Sequence, residues 1–136
     1  MISESSETTE ARKSEHIDIV LNENVNAEGV TSGFEHYRFR HNALPECDFS
    51  DIDLQTNFLD KIIRTPFLFS SMTGGTKKAW EINKQLATVA EARGWAMGVG
   101  SIRAALENND LAYSFNIRQF APTIPILANL GAVQFN

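Results

Sequence analysis

Between positions 66 and 94 the apolar residues fall first in a continuous run and then at helical spacing. Residues 66–70 form an apolar run that predicts a strand buried on both faces, as in parallel sheets covered by helices. Residues 73–76 predict a turn, and residues 77–93 predict a helix that ends at Gly94. The apolar stripe that predicts this helix consists of Ala79, Ile82, Leu86, Val89 and Ala90.

The same order repeats downstream. Residues 95–99 predict a second strand, residues 110–120 a second helix that stops before Pro122, and residues 125–128 a third strand. Strands and helices in this order predict an α/β fold, in which a parallel sheet has right-handed helical crossovers. Open doubly wound sheets and closed barrels of eight strand–helix units are both built from strands and helices in this order. The glycine pattern of dinucleotide-binding sheets does not follow the first strand.

The N-terminal half carries weaker patterns. A charged cluster over residues 12–16 precedes the apolar residues 17–21, which predicts the solvated start of a helix. Residues 53–59 and 62–65 predict a β-hairpin around a short turn at residues 60–61.

Composition and charge limit the size of the fold and the classes of partner that we expect. The chain has 136 residues, which suits one domain but falls short of the roughly 250 of a complete eight-unit barrel. Its net charge of −5 argues against nucleic acid as a partner. Residues 1–11 predict a disordered acidic tail, because they are polar and include Glu4, Glu7 and Glu10. The lone Cys47 excludes an internal disulfide, and neither a targeting signal nor a long apolar run is visible, so we expect a cytoplasmic protein without a membrane partner.

Polar residues and glycines follow the carboxyl ends of all three predicted strands. In parallel α/β folds this edge is where ligands bind, and hydroxyls, an amide and closely approached glycines suit a polar, planar or phosphorylated ligand. Arg103 adds a cation for an anionic group. The alternative is that these are ordinary loop residues. They are Ser71, Met72, Thr73, Gly74 and Gly75 after the first strand, Gly100, Ser101 and Arg103 after the second, and Asn129 and Gly131 after the third.

No catalytic or metal-ligating residue can be assigned from the pattern. The three histidines, His16, His36 and His41, lack the spacing of a metal site, and Cys47 has no activating partner. Neither a Ser-His-Asp order nor a pair of acids at a strand end is recognisable.

Six segments together resemble a known family. They are RKSEHI at residues 12–17, HNALPE at 41–46, SSMTGGT at 70–76, AMGVGS at 96–101, RAALE at 103–107 and LANLGA at 127–132. In this order, over residues 12–136, they resemble the N-terminal part of the FMN-dependent, type 2 isopentenyl-diphosphate isomerases. The resemblance implies an incomplete (β/α)8 barrel of about three strands, and the interconversion of isopentenyl and dimethylallyl diphosphate in isoprenoid biosynthesis. It further implies FMN reduced by NADPH, Mg²⁺ on the diphosphate and a homo-oligomer at full length.

The resemblance also assigns residues by motif. Ser71, Met72, Thr73, Ser101 and Asn129 are similar to the family's flavin contacts. Arg12, Lys13, Ser101 and Arg103 are similar to its diphosphate contacts.

Two departures from the family remain. Ile102 stands where the family commonly has glutamine, which predicts altered substrate binding, and the family's magnesium ligand and flavin-contacting lysine lie beyond residue 136. We therefore expect this chain to be inactive as an isomerase by itself. A different FMN-dependent barrel oxidoreductase and a non-catalytic, self-associating half-barrel are the alternatives.

Overall fold

The parallel sheet predicted from the sequence is present. A computed structural model describes residues 9–135, in which strands β3 (Leu68–Phe69), β4 (Ala96–Ser101) and β5 (Ile126–Asn129) form a three-stranded parallel sheet in that spatial order. Helix α2 (Lys77–Arg93) links β3 to β4. The prediction of an α/β fold is therefore confirmed, as a mixed α/β arrangement that does not close into a barrel within the described residues.

Helix α2 has the bounds that its flanking residues predict. The side chain of Thr76 accepts a hydrogen bond of 3.0 Å from the backbone N–H of Ala79 and so caps the first turn. Gly94 ends the helix with a φ of 66°, a left-handed conformation that glycine adopts without strain.

The buried face of α2 differs from the predicted stripe. Val89 is exposed, whereas Asn83 and Ala87 are buried together with Ala79 and Ala90. Small side chains on this face let the helix lie close to the sheet. A core of seven buried residues fills the space between α2, β4 and the segment before β5: Ala87, Ala90, Met97, Val99, Ile117, Ala121 and Ile124.

The two strands β4 and β3 differ in burial, and only the prediction for β3 needs correction. Residues Ala96–Gly100 of β4 are all buried, as expected of a central parallel strand. Strand β3 is not buried on both faces, since Leu68 is exposed and Phe69 only half-buried. The reason is that β3 is an edge strand, paired only with β4 in the part of the chain that the structure describes.

The predicted helix over residues 110–120 is wrong. The chain instead forms a short helix α3 (Arg103–Glu107) and a 3₁₀ segment at Asn109–Phe115. The side chain of Asn108 accepts a 3.0 Å hydrogen bond from Asp110 N–H, and the Ser114 hydroxyl donates to the Leu111 carbonyl at 2.7 Å. Short polar side chains that bond to nearby backbone in this way favour tight turns over a regular α-helix.

The N-terminal half contains helix α1 (Thr9–Asn22), as the charged cluster predicts. The predicted tail concerns mainly residues 1–8, which lie outside the described residues, and Thr9 already belongs to α1. The predicted hairpin is confirmed as β1 (Thr56–Phe58) paired with β2 (Lys61–Ile63).

The hairpin turn lies one position earlier than predicted, at Leu59 and Asp60. Both residues have positive φ values, 51° and 58°, which suits the twist of a two-residue hairpin. Short 3₁₀ segments occupy Phe34–His36, Phe49–Asp51 and Ala132–Gln134. No helix within residues 9–135 has the length and apolar character needed to cross a lipid bilayer.

Candidate functional site

A cleft of about 300 Å³ lies between α1 and the carboxyl edge of the parallel sheet. Six of its lining residues belong to the set that the sequence assigned to ligand binding: Arg12, Lys13, Met72, Thr73, Ser101 and Arg103. Thr9 and His16 complete the lining. The fold therefore brings residues from α1, from the loop after β3 and from the end of β4 into one space.

The cleft-facing residues of α1 follow its helical period. Thr9 lies three and four positions before Arg12 and Lys13, and His16 lies four and three positions after them, so the four residues share one face of the helix. The sequence missed Thr9 and His16, and the helical spacing around Arg12 and Lys13 is the signal that points to them.

Lys13 joins α1 to the sheet edge. Its amine donates a hydrogen bond of 2.9 Å to the Ser101 carbonyl and lies 5.5 Å from the centre of the Phe115 ring. Burial of the amine and the nearby Arg12 charge lower the pKa of Lys13 below its usual value, while the Glu107 carboxylate opposes that shift. Lys13 is therefore a partly desolvated cation close to a second cation.

Two glycines of β4 allow the loop after β3 to lie directly over the strand. A Cβ at Gly98 would stand 2.4 Å from the Ser71 hydroxyl, and one at Gly100 would stand 2.6 Å from the Thr73 carbonyl carbon. The Gly100 N–H donates a 3.0 Å hydrogen bond to the Thr73 carbonyl. Close backbone approach is thus the physical reason for glycine at both positions.

Two buried polar side chains hold the same loop from behind. The Asn83 amide donates to the carbonyls of Thr73 at 3.0 Å and Ser114 at 3.4 Å. The Ser114 hydroxyl accepts from the Gly75 N–H at 2.7 Å. The sequence missed both residues, although an asparagine flanked at four-residue spacing by Ala79 and Ala87 on a helix face is a recognisable signal.

Several polar side-chain groups at the sheet edge have no hydrogen-bond partner within residues 9–135. The side-chain oxygens of Ser71 and Thr73 and the Asn129 amide make no hydrogen bond to any residue in the range 9–135. Asn129 pairs with Ser101 across β4 and β5, while its carbonyl accepts from the Ile102 N–H at 2.9 Å. Ser71 and Asn129 do not line the 300 Å³ cleft but lie at the same edge of the sheet.

Arg103 is oriented by its own helix. Its Nε donates to Glu107 at 2.6 Å, one turn later in α3, and its backbone N–H lies 3.4 Å from the Ser101 hydroxyl. The Thr9 hydroxyl also donates to Glu107. These two donors, Thr9 first, lower the pKa of the Glu107 carboxyl below its usual value.

A protein-family model described as FMN-dependent dehydrogenase matches residues 5–112. The chain belongs to the FMN-dependent dehydrogenase family. The loop after β3 and the end of β4, which line the cleft, lie within the matched residues.

Relatives named isopentenyl-diphosphate delta-isomerase confirm that resemblance. The protein from Oceanobacillus iheyensis is 51% identical over 125 residues, 92% of this chain and 36% of the relative. That from Rickettsia akari is 52% identical over 126 residues (93% and 36%), and that from a Nostoc species 50% identical over 128 residues (94% and 37%). The chain thus spans little more than a third of the length of these curated relatives.

Ile102 differs in placement from its neighbours in this member of the dehydrogenase family. Its side chain packs against the hydrophobic core, and it is absent from the residues that line the cleft.

Residues 9–135 contain no group of three or more histidine, cysteine or acidic side chains suited to a metal ion.

Proposed function

We propose that this chain is the N-terminal part of an isopentenyl-diphosphate delta-isomerase. The complete protein would interconvert isopentenyl and dimethylallyl diphosphate on an FMN-binding (β/α)8 barrel, of which β3, β4 and β5 are the first three parallel strands. The observation that carries the proposal is the cleft itself, where Arg12, Lys13 and Arg103 meet beside the Thr73 hydroxyl, which makes no hydrogen bond within residues 9–135.

The diphosphate site consists of Arg12, Lys13, Ser101 and Arg103. Guanidinium and ammonium groups bind phosphate oxygens through charge-assisted hydrogen bonds, which are shorter and stronger than neutral ones. Lys13 is half-buried, so its charge is weakly screened by solvent and acts strongly on a bound anion. His16, on the same face of α1, adds a ring nitrogen to the site.

The flavin site consists of Ser71, Met72, Thr73, Ser101 and Asn129. Hydroxyl and amide groups act as both donors and acceptors, which fits the alternating polar edge of a flavin ring, and Met72 is exposed to pack against its apolar part. Reduced FMN, when bound, supplies the proton-transfer chemistry of the isomerisation. The residues of this chain position the flavin and hold the diphosphate next to it.

The proposal assigns no NADPH or magnesium contact to residues 9–135. On the strength of the resemblance, we further propose for the whole protein NADPH as the reductant, Mg²⁺ on the diphosphate, a cytoplasmic location and a homo-oligomeric state.

A second candidate is an FMN-dependent oxidoreductase that does not act on a diphosphate. The description of the matching family, FMN-dependent dehydrogenase, favours it. It retains the flavin residues at the strand ends but gives no role to Arg12 and Lys13.

A chimera separates the two candidates. Residues 1–136 replace the matching region of the Oceanobacillus iheyensis relative, which is 51% identical over 125 residues, and the product is purified with FMN. We expect it to isomerise isopentenyl diphosphate with reduced FMN and Mg²⁺, while residues 1–136 alone show no turnover. A chimera that shows the flavin absorbance but neither binds nor converts isopentenyl diphosphate would favour the oxidoreductase.

A further inference from the structure

We propose that Glu107 is a positioning residue for the diphosphate site. Its carboxylate accepts hydrogen bonds from Arg103 and from Thr9, and so holds Arg103 and the start of α1 in place. This inference rests on the proposed function, because it concerns how the same anion site is held together.

Glu107 connects two parts of the cleft that are far apart in sequence. One carboxylate oxygen accepts from Arg103 Nε at 2.6 Å, and the other accepts from the hydroxyl of Thr9, 98 residues earlier. Glu107 itself does not line the cleft, whereas both of its partners do. It therefore acts from behind the cations and does not touch the anion.

The hydrogen bond from Arg103 Nε to Glu107 leaves the two terminal nitrogens of the guanidinium available to an anion. Glu107 engages Nε, while the two terminal nitrogens of Arg103 donate no hydrogen bond to any residue in the part of the chain that the structure describes. Those two nitrogens form the fork that binds phosphate oxygens in a bidentate manner. The carboxylate thus fixes the direction in which the fork points.

The bond to Thr9 acts on α1. Ile17 is the only buried residue of this helix, and polar contacts such as those of Lys13 with Ser101 and of Asp18 with Lys78 hold it to the rest of the structure. Thr9 lies one turn before Arg12, so the Thr9–Glu107 contact secures the end of α1 that presents the cations. Losing it frees that end to move away from the sheet.

Two effects of the Glu107 charge oppose each other. A carboxylate near the site repels an incoming anion, yet Glu107 is exposed, so solvent and salt screen that repulsion. The ion pair with Arg103 is also exposed and partly screened, but the directional hydrogen bonds from Arg103 and Thr9 act at contact distance, well inside the screening length. We therefore expect the removal of Glu107 to weaken anion binding.

The test uses the chimera described above, in which residues 1–136 supply the three cations of the cleft. Inorganic pyrophosphate is titrated calorimetrically into the chimera with the wild-type chain and into its Glu107→Ala, Glu107→Gln and Thr9→Val variants, after circular dichroism has shown equal folding. Glu81→Ala is the matched control, an exposed glutamate of α2 whose side chain makes no hydrogen bond within residues 9–135. We expect Glu107→Ala to weaken pyrophosphate about fivefold, Glu107→Gln and Thr9→Val about twofold, and the control not at all.

A second measurement separates positioning from folding stability. In the chimera, Glu107→Ala should raise KM for isopentenyl diphosphate about fivefold with kcat nearly unchanged, and Thr9→Val combined with Glu107→Ala should add little. Unchanged or tighter pyrophosphate binding by Glu107→Ala would overturn the role of Glu107 alone. A folded chimera with the wild-type chain but without pyrophosphate affinity would overturn the diphosphate site, and the inference with it.

Discussion

The amine of Lys13 donates a 2.9 Å hydrogen bond to the main-chain carbonyl of Ser101, 88 residues later in the chain. This bond places an N-terminal cation at the end of a central strand. Because the acceptor is a backbone atom, the contact depends on the fold of β4 and α1 and not on the side chain at position 101.

Replacing Lys13 by methionine tests its part in anion binding. Methionine keeps an unbranched apolar stem, but the charge, its approach to the Phe115 ring and the bond to Ser101 are lost. We expect pyrophosphate affinity to fall about tenfold, since a hydrogen bond to a charged group contributes about 1.5–3 kcal/mol. Lys77→Met, at the exposed first position of α2, is the control, and equal affinities of the two variants would contradict the assignment.

The lowered pKa of Lys13 predicts a specific pH dependence. Burial and Arg12 favour the neutral amine, so Lys13 loses its proton at a lower pH than an ordinary lysine. Pyrophosphate affinity should therefore decline on the alkaline side before ordinary lysines titrate. The Lys13→Arg variant should lack this decline, because arginine stays charged. Titration of both proteins with pyrophosphate between neutral and alkaline pH checks it, and parallel profiles would refute it.

The lowered pKa of Lys13 also makes the free energy of unfolding depend on pH. The unfolded chain binds the Lys13 proton more tightly than the folded chain does, so folding is favoured as pH rises between the two pKa values. This small gain runs opposite to the loss of anion affinity. The two effects can therefore be separated by measuring unfolding without pyrophosphate.

Gly100→Ala should damage the sheet edge. The added Cβ would stand 2.6 Å from the carbonyl carbon of Thr73, and backbone cannot move aside as a side-chain end can. We expect a loss of about 1–3 kcal/mol in the free energy of unfolding, measured by urea denaturation, together with weaker FMN binding in the chimera. Gly131→Ala is the control, since its nearest contact is an ordinary 3.4 Å to the Gln134 side chain. Equal stability of the two variants would show that the loop after β3 moves easily.

Asn83→Leu tests the buried support of the Thr73 loop. Asn83 is 2% exposed and donates to two backbone carbonyls, so leucine leaves the Ser114 carbonyl without that donor in a buried place. The expected cost is about 1–3 kcal/mol of unfolding free energy, with lower FMN affinity in the chimera. Gln85→Leu, exposed on the same helix, is the control and should change neither quantity. An Asn83→Leu variant as stable as the control would show that Asn83 does not support the Thr73 loop.

Local signals explain what the sequence predicts well. Thr76 and Gly94 bracket α2 through a cap and a left-handed stop, and each acts within a few residues. The strand-end rule likewise brings the motif residues to one edge because parallel strands share a direction.

Non-local contacts explain what the sequence misses. The 3₁₀ segment at Asn109–Phe115 depends on Ser114, whose hydroxyl bonds to Gly75 on another loop. Val89 is exposed because the face of α2 that packs against the rest of the structure runs through Asn83, Ala87 and Ala90. Helical spacing places Thr9 and His16 on the face of Arg12 and Lys13, but their position in the cleft follows from the docking of α1 against residues about 60–90 positions later, which no local pattern encodes.

The position between Ser101 and Arg103 offers the last prediction. The resemblance predicts that Ile102 alters substrate binding, because the family commonly has glutamine there. In this chain the Ile102 side chain packs against the core, and its backbone N–H is bonded to the Asn129 carbonyl. Ile102→Gln should therefore cost about 1–2 kcal/mol of unfolding free energy through lost apolar burial, while KM for isopentenyl diphosphate in the chimera changes less than twofold.

The control for this substitution is Ile102→Val, which keeps an apolar side chain and should cost about 0.5–1.5 kcal/mol. Urea denaturation measures the stability of both variants, and steady-state kinetics of the chimera measures KM. If Ile102→Gln instead lowers KM several-fold at unchanged stability, the side chain at this position reaches the substrate. The direction of Ile102 toward the core would then be wrong, and the residue would determine the affinity of the site. The two readouts decide between packing and recognition because burial acts on unfolding and a substrate contact acts on KM.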